Sequence, residues 1–346
     1  MRKRKNLNLL IIFAMIGFLI SGCSQPSQVV ITPEEKPTAD QFEFVRQATE
    51  DYLAGDRVAS LTPEQLYKEY FQEKNGDYLL VDIRTQGDFT HDNIRGSINI
   101  PYTQTANIKK LANLPQDKTL VVIDYNGHWA AQTAATWNML GLKAVPLLYG
   151  MQSWTTNQVS LGYDTFPEEA LNNPLVAEES SLGQYNLPEL KIPEGTTEEI
   201  IRRLSGTYLD RNYKGFVTAD EVLTSLNEGT SDYLVDIRQP EHYGKGHIKG
   251  SVNIPLDQLA KTEMLKYLPL DEKIILIGYD GMDASQGVRS LVTMGYNAEA
   301  LKYGMSYWHG DEEVTGVSPV HNLVQDYYEL IPLNYVQPAA GAASCG

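Results

Sequence analysis

"YLLVDIRTQGDFTHDNIRGSINIP" occupies residues 78–101, and "YLVDIRQPEHYGKGHIKGSVNIP" occupies residues 233–255. Asp82 falls on Asp236, Arg84 on Arg238, Gly96 on Gly250 and Pro101 on Pro255, each 154 residues apart. The same offset carries Gly127 onto Gly281, Gly141 onto Gly295, and "YGMQSW" at Tyr149 onto "YGMSYW" at Tyr303. An offset held without gaps over more than 70 residues identifies one fold present twice. Upstream, "YLAGDRVASLT" at Tyr52 matches "YLDRNYKGFVT" at Tyr208 with an offset of 156, so a two-residue indel lies between. The repeats run over residues 42–154 and 198–308.

Each repeat alternates strands and helices. Thr62 and Thr218 are expected N-caps, with Gln65 and Glu221 as capping-box partners three residues on, each opening a helix of about ten residues. "YLLVDI" and "YLVDI" are short apolar runs suited to strands buried on both faces, and "SINIP" and "SVNIP" are shorter strands. "TLVVI" and "IILIG" are the most apolar and are expected at the sheet centre. Helical patterns follow over 130–140 and 284–294, each stopped by glycine (Gly141, Gly295), and "AVPLLY" and "AEALKY" close the series. This alternation predicts an α/β chain of two tandem domains, each a parallel sheet flanked by helices.

Outside the repeats, residues 1–22 read as a signal peptide. Arg2, Lys3, Arg4 and Lys5 form a basic start and residues 9–20 an apolar run too short to read first as a spanning helix. "LISGC" ends it and resembles the bacterial lipoprotein signal, which implies lipidation at Cys23. Residues 23–41 form a polar, proline-containing tether, 155–197 a linker, and 309–346 a C-terminal extension with a flexible tail. Its aromatic stretch "NLVQDYYELIPLNYVQ" is expected to pack back on a domain. Removing the leader takes four of the 28 basic residues and none of the 44 acidic ones, leaving a net charge of −20. Such a surface excludes nucleic acid and anionic lipid as partners, so membrane attachment rests on the lipid. The expected location is exported and lipid-anchored, at the outer membrane if the host is Gram-negative, since Ser24 rather than Asp follows Cys23. With Cys23 lipidated, Cys345 is the only free thiol and no intramolecular disulfide forms.

The "VDIR" strand, the "GHIKGSVNIP" segment, and the apolar strand, glycine loop and helix that follow together resemble the rhodanese homology domain. The whole is similar to a tandem rhodanese-like (thiosulfate sulfurtransferase-like) protein, across about two-thirds of the chain. "DNIRGSINIP" in the first repeat is the weaker match. The resemblance implies a cysteine opening the loop after the central strand, which takes sulfane sulfur as a persulfide and passes it to a thiol. It needs a thiolate of lowered pKa, stabilised by the loop amides, and commonly a cation in the loop. Placed on that pattern, Asp124 and Gly278 stand at the nucleophile position, and Trp129 and Asp283 stand where a loop arginine is common. The candidate binding residues are therefore Asp124, Tyr125, Asn126, Gly127, His128 and Trp129 in one loop, and Gly278, Tyr279, Asp280, Gly281, Met282 and Asp283 in the other.

Two readings stand for Asp124: an internal ligand held by the loop amides, or a nucleophile or base of the kind aspartates provide in phosphoryl transfer. The first is favoured, because no metal motif or second carboxylate accompanies it. His128 reads as a surface histidine, and His242 and His247 carry no metal-site spacing. Asp82–Arg84 and Asp236–Arg238 read as pairs at strand ends that bridge loops on the site's rim, and Asp280 and Asp283 as solvated turn acids. Cys345 reads as an incidental thiol, an intermolecular disulfide partner, or a sulfur-carrying arm. No cofactor is expected. The function expected is a non-catalytic binding or scaffold lipoprotein of the bacterial cell envelope, its ligand an envelope protein or a small molecule. The alternative is a sulfurtransferase or thiol-redox protein using Cys345.

Overall fold

The computed structural model describes residues 41–155, 161–162, 166–191, 194–211, 213–230 and 232–323. Cys23, Cys345, the leader and most of the aromatic tail stretch lie outside the described residues. The first half contains α1 (Gln41–Ala54), α2 (Pro63–Leu66), β1 (Tyr78–Asp82), α3 (Gln86–His91), β2 (Ile98–Asn99), α4 (Ile108–Leu111), β3 (Thr119–Ile123), α5 (His128–Met139) and β4 (Lys143–Pro146). The second contains α6 (Thr197–Asp210), β5 (Phe216–Val217), α7 (Ala219–Glu228), β6 (Tyr233–Asp236), α8 (Pro240–Lys245), β7 (Val252–Asn253), α9 (Thr262–Leu265), β8 (Ile274–Ile277), α10 (Met282–Thr293), β9 (Ala298–Leu301), α11 (Gly304–Trp308) and α12 (Glu312–Thr315).

Both sheets are parallel, as the alternation of elements requires. Among the described residues their strand orders are β2-β1-β3-β4 and β5-β9-β8-β6-β7. β3 and β8 lie inside their sheets, and their residues 120–123 and 274–277 are fully buried, which is why these runs are the most apolar. The counterpart of β5 in the first repeat is reduced to one bridge, Leu61 opposite Leu147. Both capping boxes form: Thr62 and Thr218 accept from the Gln65 and Glu221 amides, and those side chains reach back to the cap amides. After Leu66 the first of these helices widens into a π turn over Tyr67–Gln72.

Each strand-end pair is an ion pair closed off from water. Arg84 binds Asp82 and donates to the Asp92 carbonyl at 2.7 Å. Arg238 binds Asp236 at 2.6 Å and donates to the carbonyls of Gly246 (2.8 Å) and Thr315 (3.0 Å). Each guanidinium thereby ties the strand end to the loop after the next helix, and Arg238 also holds the C-terminal extension.

The leading helices of the two repeats pack across the seam between them. α1 packs on the second repeat: Phe42, Val45 and Leu53 join a core with Leu256, Leu259, Val288 and Leu291. Arg46 donates to the Ala260 carbonyl at 3.1 Å, while Glu43 and Glu50 hold its charge. Tyr208 and Leu209 of α6 pack on Ala106 and Tyr102 of the first repeat. α1 and the C-terminal end of α6 thus cross the seam, while Ile200 and Ile201 keep the start of α6 in the second repeat's core. Part of the linker is built into the fold: Leu161 is buried in the first repeat's core, and Phe166 packs against Tyr149 and Tyr303. Val320 of the extension is buried in the same cluster.

Arg238→Ala strands the Asp236 carboxylate in a dry site, so a loss of about 3–5 kcal/mol is expected in the urea unfolding free energy. Lys245→Ala, which breaks an exposed pair with Glu241, is expected to leave the unfolding midpoint almost unchanged.

Candidate functional site

Each central strand ends in a short loop that turns directly into a helix, so backbone amides converge where the helix begins. Gly127 and Gly281 provide the turn at φ 87° in both loops. The loops stand back to back across the seam between the repeats. A Cβ on Gly127 would lie 2.7 Å from the Met282 sulfur, and one on Gly281 would lie 2.8 Å from the His128 ring. No other residue fits either position.

In the first loop the amides are taken by the loop's own side chain. The Asp124 carboxylate accepts from the Gly127 amide at 2.5 Å and from Trp129 at 2.9 Å, and is fully buried. Burial pushes its pKa up to about 7, against the pull of those amides. The Asn126 side chain accepts from the His128 amide, as Asp280 does from the Met282 amide in the second loop. Tyr125 is tied to Asp88 at the start of α3, and its hydroxyl accepts from the Thr85 amide. Tyr279 repeats this, accepting from the Gln239 amide at 3.1 Å and pairing with His242 at 2.8 Å. The ring of Trp129 stacks on Tyr102 at 4.7 Å, and its indole N–H donates to the Lys214 carbonyl.

The second loop differs at its mouth. Gly278 presents no side chain, and a Cβ there would lie 3.3 Å from the Ala284 amide nitrogen, a fit reached only by small shifts. Asp283 is not a solvated turn acid: it forms an ion pair with Arg57 at 2.8 Å. Asp280 is partly covered, and burial and the neighbouring Asp283 push its pKa up to about 7. A cation therefore does reach this loop, from a residue 226 positions away and paired from the start.

His128 is a further correction. It is buried in the seam, with Nδ1 2.7 Å from the Ser285 hydroxyl and Nε2 accepting from the Tyr303 amide. That arrangement places the proton on Nδ1, donated to Ser285, so the imidazole cannot take the serine's proton. Burial, and then Lys302, push its pKa down to about 3. His247 is buried as well, between the Tyr243 and Glu178 carbonyls. Among the described residues no group of three or more His, Cys, Asp or Glu side chains is placed to hold a metal. Sequence reasoning missed Arg57, Gln132 and Arg289; only the comparison of repeats hints at them, since Arg57 falls on Tyr213 and Arg289 on Ala135.

The model of the family described as "Rhodanese-like domain" matches residues 62–157 and 218–311, both matches beginning after the leading helices. The chain is 29% identical over 130 residues to the adenylyltransferase and sulfurtransferase uba4 of Ogataea parapolymorpha, covering 35% of this chain and 33% of that protein. It is 27% identical over 88 residues to the thiosulfate sulfurtransferase GlpE of Shewanella oneidensis, covering 25% and 85%. The chain thus spans a third of the length of the first of these relatives. Among solved structures, the thiosulfate sulfurtransferase from Pseudomonas aeruginosa aligns at 16% identity over 77% of this chain and 47% of that one, with a TM-score of 0.27.

Asp124 and His128 give opposite pH slopes to stability. Asp124 binds its proton more tightly folded than unfolded, so it lowers stability as pH rises from about 4 to about 7, by about 4 kcal/mol at most. His128 binds its proton less tightly when folded, so it lowers stability as pH falls from about 6.5 to about 3. Unfolding followed across pH 3–8 is expected to show the first slope reduced in Asp124→Asn and the second in His128→Met.

Proposed function

Because this chain belongs to the rhodanese-like domain family twice over, we propose that it is a non-catalytic member of it. On this reading it is a binding or scaffold lipoprotein of the bacterial cell envelope, which uses the former active-site faces or the seam between repeats. The observation that supports this reading is the pair Asp124 and Gly278 at the mouths of the two loops. Sulfane-sulfur transfer needs a thiolate there to form a persulfide, and neither residue carries sulfur. In the first loop the amides that would stabilise a thiolate are held by the Asp124 carboxylate. In the second, Gly278 offers no side chain at all, Asp280 accepts from the Met282 amide, and the nearest cation, Arg57, is held by Asp283. The ligand is then an envelope protein or a small molecule. The chain is held at the membrane by a lipid on Cys23, and its acidic surface keeps it off nucleic acid.

Incubation of the purified protein with thiosulfate and cyanide is expected to form no thiocyanate above the uncatalysed rate; turnover would sink the reading. Metabolic labelling with a fatty acid is expected to mark the wild-type chain and not Cys23→Ser, and labelled Cys23→Ser would remove the lipid anchor from it.

A further inference from the structure

The pseudo-symmetry of the seam exposes one place where the two halves are not equivalent. Gln286 of α10 and Gln132 of α5 occupy the same position in their repeats. Around Gln286 both ends of the side-chain amide are paired. Tyr52 and Arg57 donate to its Oε1 at 2.6 and 2.9 Å, and its Nε2 donates to the Ala59 carbonyl at 2.6 Å. The charge on Arg57 is answered by Asp283 at 2.8 Å, and Arg57 Nε alone of this set is buried without a partner.

Around Gln132 the set stays open. Its Oε1 accepts from Tyr102 at 2.9 Å and from the fully buried Arg289 at 3.5 Å, and Arg289 also donates to the Tyr102 hydroxyl at 2.9 Å. Gln132 Nε2 and Arg289 Nε are buried with no hydrogen-bond partner, and the Tyr208 hydroxyl makes none of good geometry although Tyr102 lies beside it. These groups converge: a Cβ on Gly215 would run into both Gln132 Nε2 and the Tyr208 hydroxyl, and the Arg289 guanidinium lies 4.1 Å over the Tyr208 ring. Trp129 stands where the other half has Asp283. Two carboxylates act on this cluster, and both are already engaged: Asp124 by the loop amides, Glu299 by Lys273 at 3.1 Å. A buried guanidinium without a counter-charge is costly, and buried donors are normally paired.

We propose that the Arg289–Gln132–Tyr208 cluster is a binding site for a small carboxylate, which supplies from outside the charge that Asp283 supplies within the chain to the other half. The match is chemical: a guanidinium edge, an amide N–H and a phenol hydroxyl are the donors a carboxylate takes. The partly exposed Tyr102–Trp129 stack covers the cluster, one ring from solvent. This deepens the binding-module reading by naming a ligand class, and it rests on the seam rather than on the loops.

The test uses the full chain in detergent at pH 7, titrated with sodium acetate or with sodium chloride at matched ionic strength. Acetate is expected to raise Tm saturably and to change tryptophan emission through Trp129, with no response to chloride. Gln132→Glu places a carboxylate beside Arg289 within the chain, so it is expected to raise Tm without acetate and to abolish the acetate response. Arg289→Gln is expected to abolish the response too; should it fail to fold, Gln132→Glu decides alone. Equal responses to acetate and chloride, or an acetate response retained in Gln132→Glu, would overturn the proposal. Sulfurtransferase turnover would overturn the non-catalytic reading and leave this result untouched.

Discussion

Two glycines in the left-handed region bear on everything else in this chain. Gly127 and Gly281 let two strand–loop–helix units press back to back, Met282 against one glycine and His128 against the other. At such distances a side chain on either glycine would strike both the facing side chain across the seam and the backbone of its own repeat, at Tyr149 or Tyr303. The close approach brings α5 and α10 together along the seam, and it removes the loop residues from solvent. His128 loses water and with it any surface role, and its imidazole becomes a fixed hydrogen-bonding link between Ser285 and Tyr303.

The seam is reinforced by the leading helices. α1 lies on the second repeat and the Tyr208 end of α6 on the first, while Ile200 and Ile201 hold α6 to its own repeat's core, so both helices bind the halves together. The crossing also carries Arg57 to Asp283 and Lys214 to Trp129, covering each loop with the segment that follows the other repeat's leading helix. Pseudo-symmetric duplication allows the two covers to diverge without disturbing either sheet. One became an ion pair; the other became an aromatic stack beside a buried cation. Duplicated positions experience the same backbone and different side chains, so each half serves as a control for the other.

The loops share the geometry of an anion cradle and differ from each other at their mouths. In the first, a carboxylate bonded to the amides satisfies donors that would otherwise be buried unpaired. In the second, Asp280 occupies one amide and Asp283 holds Arg57, so the polar groups look inward. The turn is needed to connect a central strand to the seam helix, and this need persists whatever chemistry the loop performs.

Much of this was legible in the sequence for a physical reason. The duplication, the parallel α/β order, the central strands, the capping boxes and the bridging Asp–Arg pairs all depend on residues within about a turn or a strand of one another. Apolar period, cap chemistry and glycine placement encode such short-range relations directly. The resemblance carried by "VDIR" and "GHIKGSVNIP" likewise gave the family, because those residues build the rim of each sheet. What only the tertiary structure decided depends on which surfaces meet. The crossing of α1 and α6, the burial of His128, the Arg57–Asp283 pair and the open donor set around Arg289 join residues from about 90 to about 230 positions apart. Their partners are chosen by packing across the seam, and no local pattern records that choice.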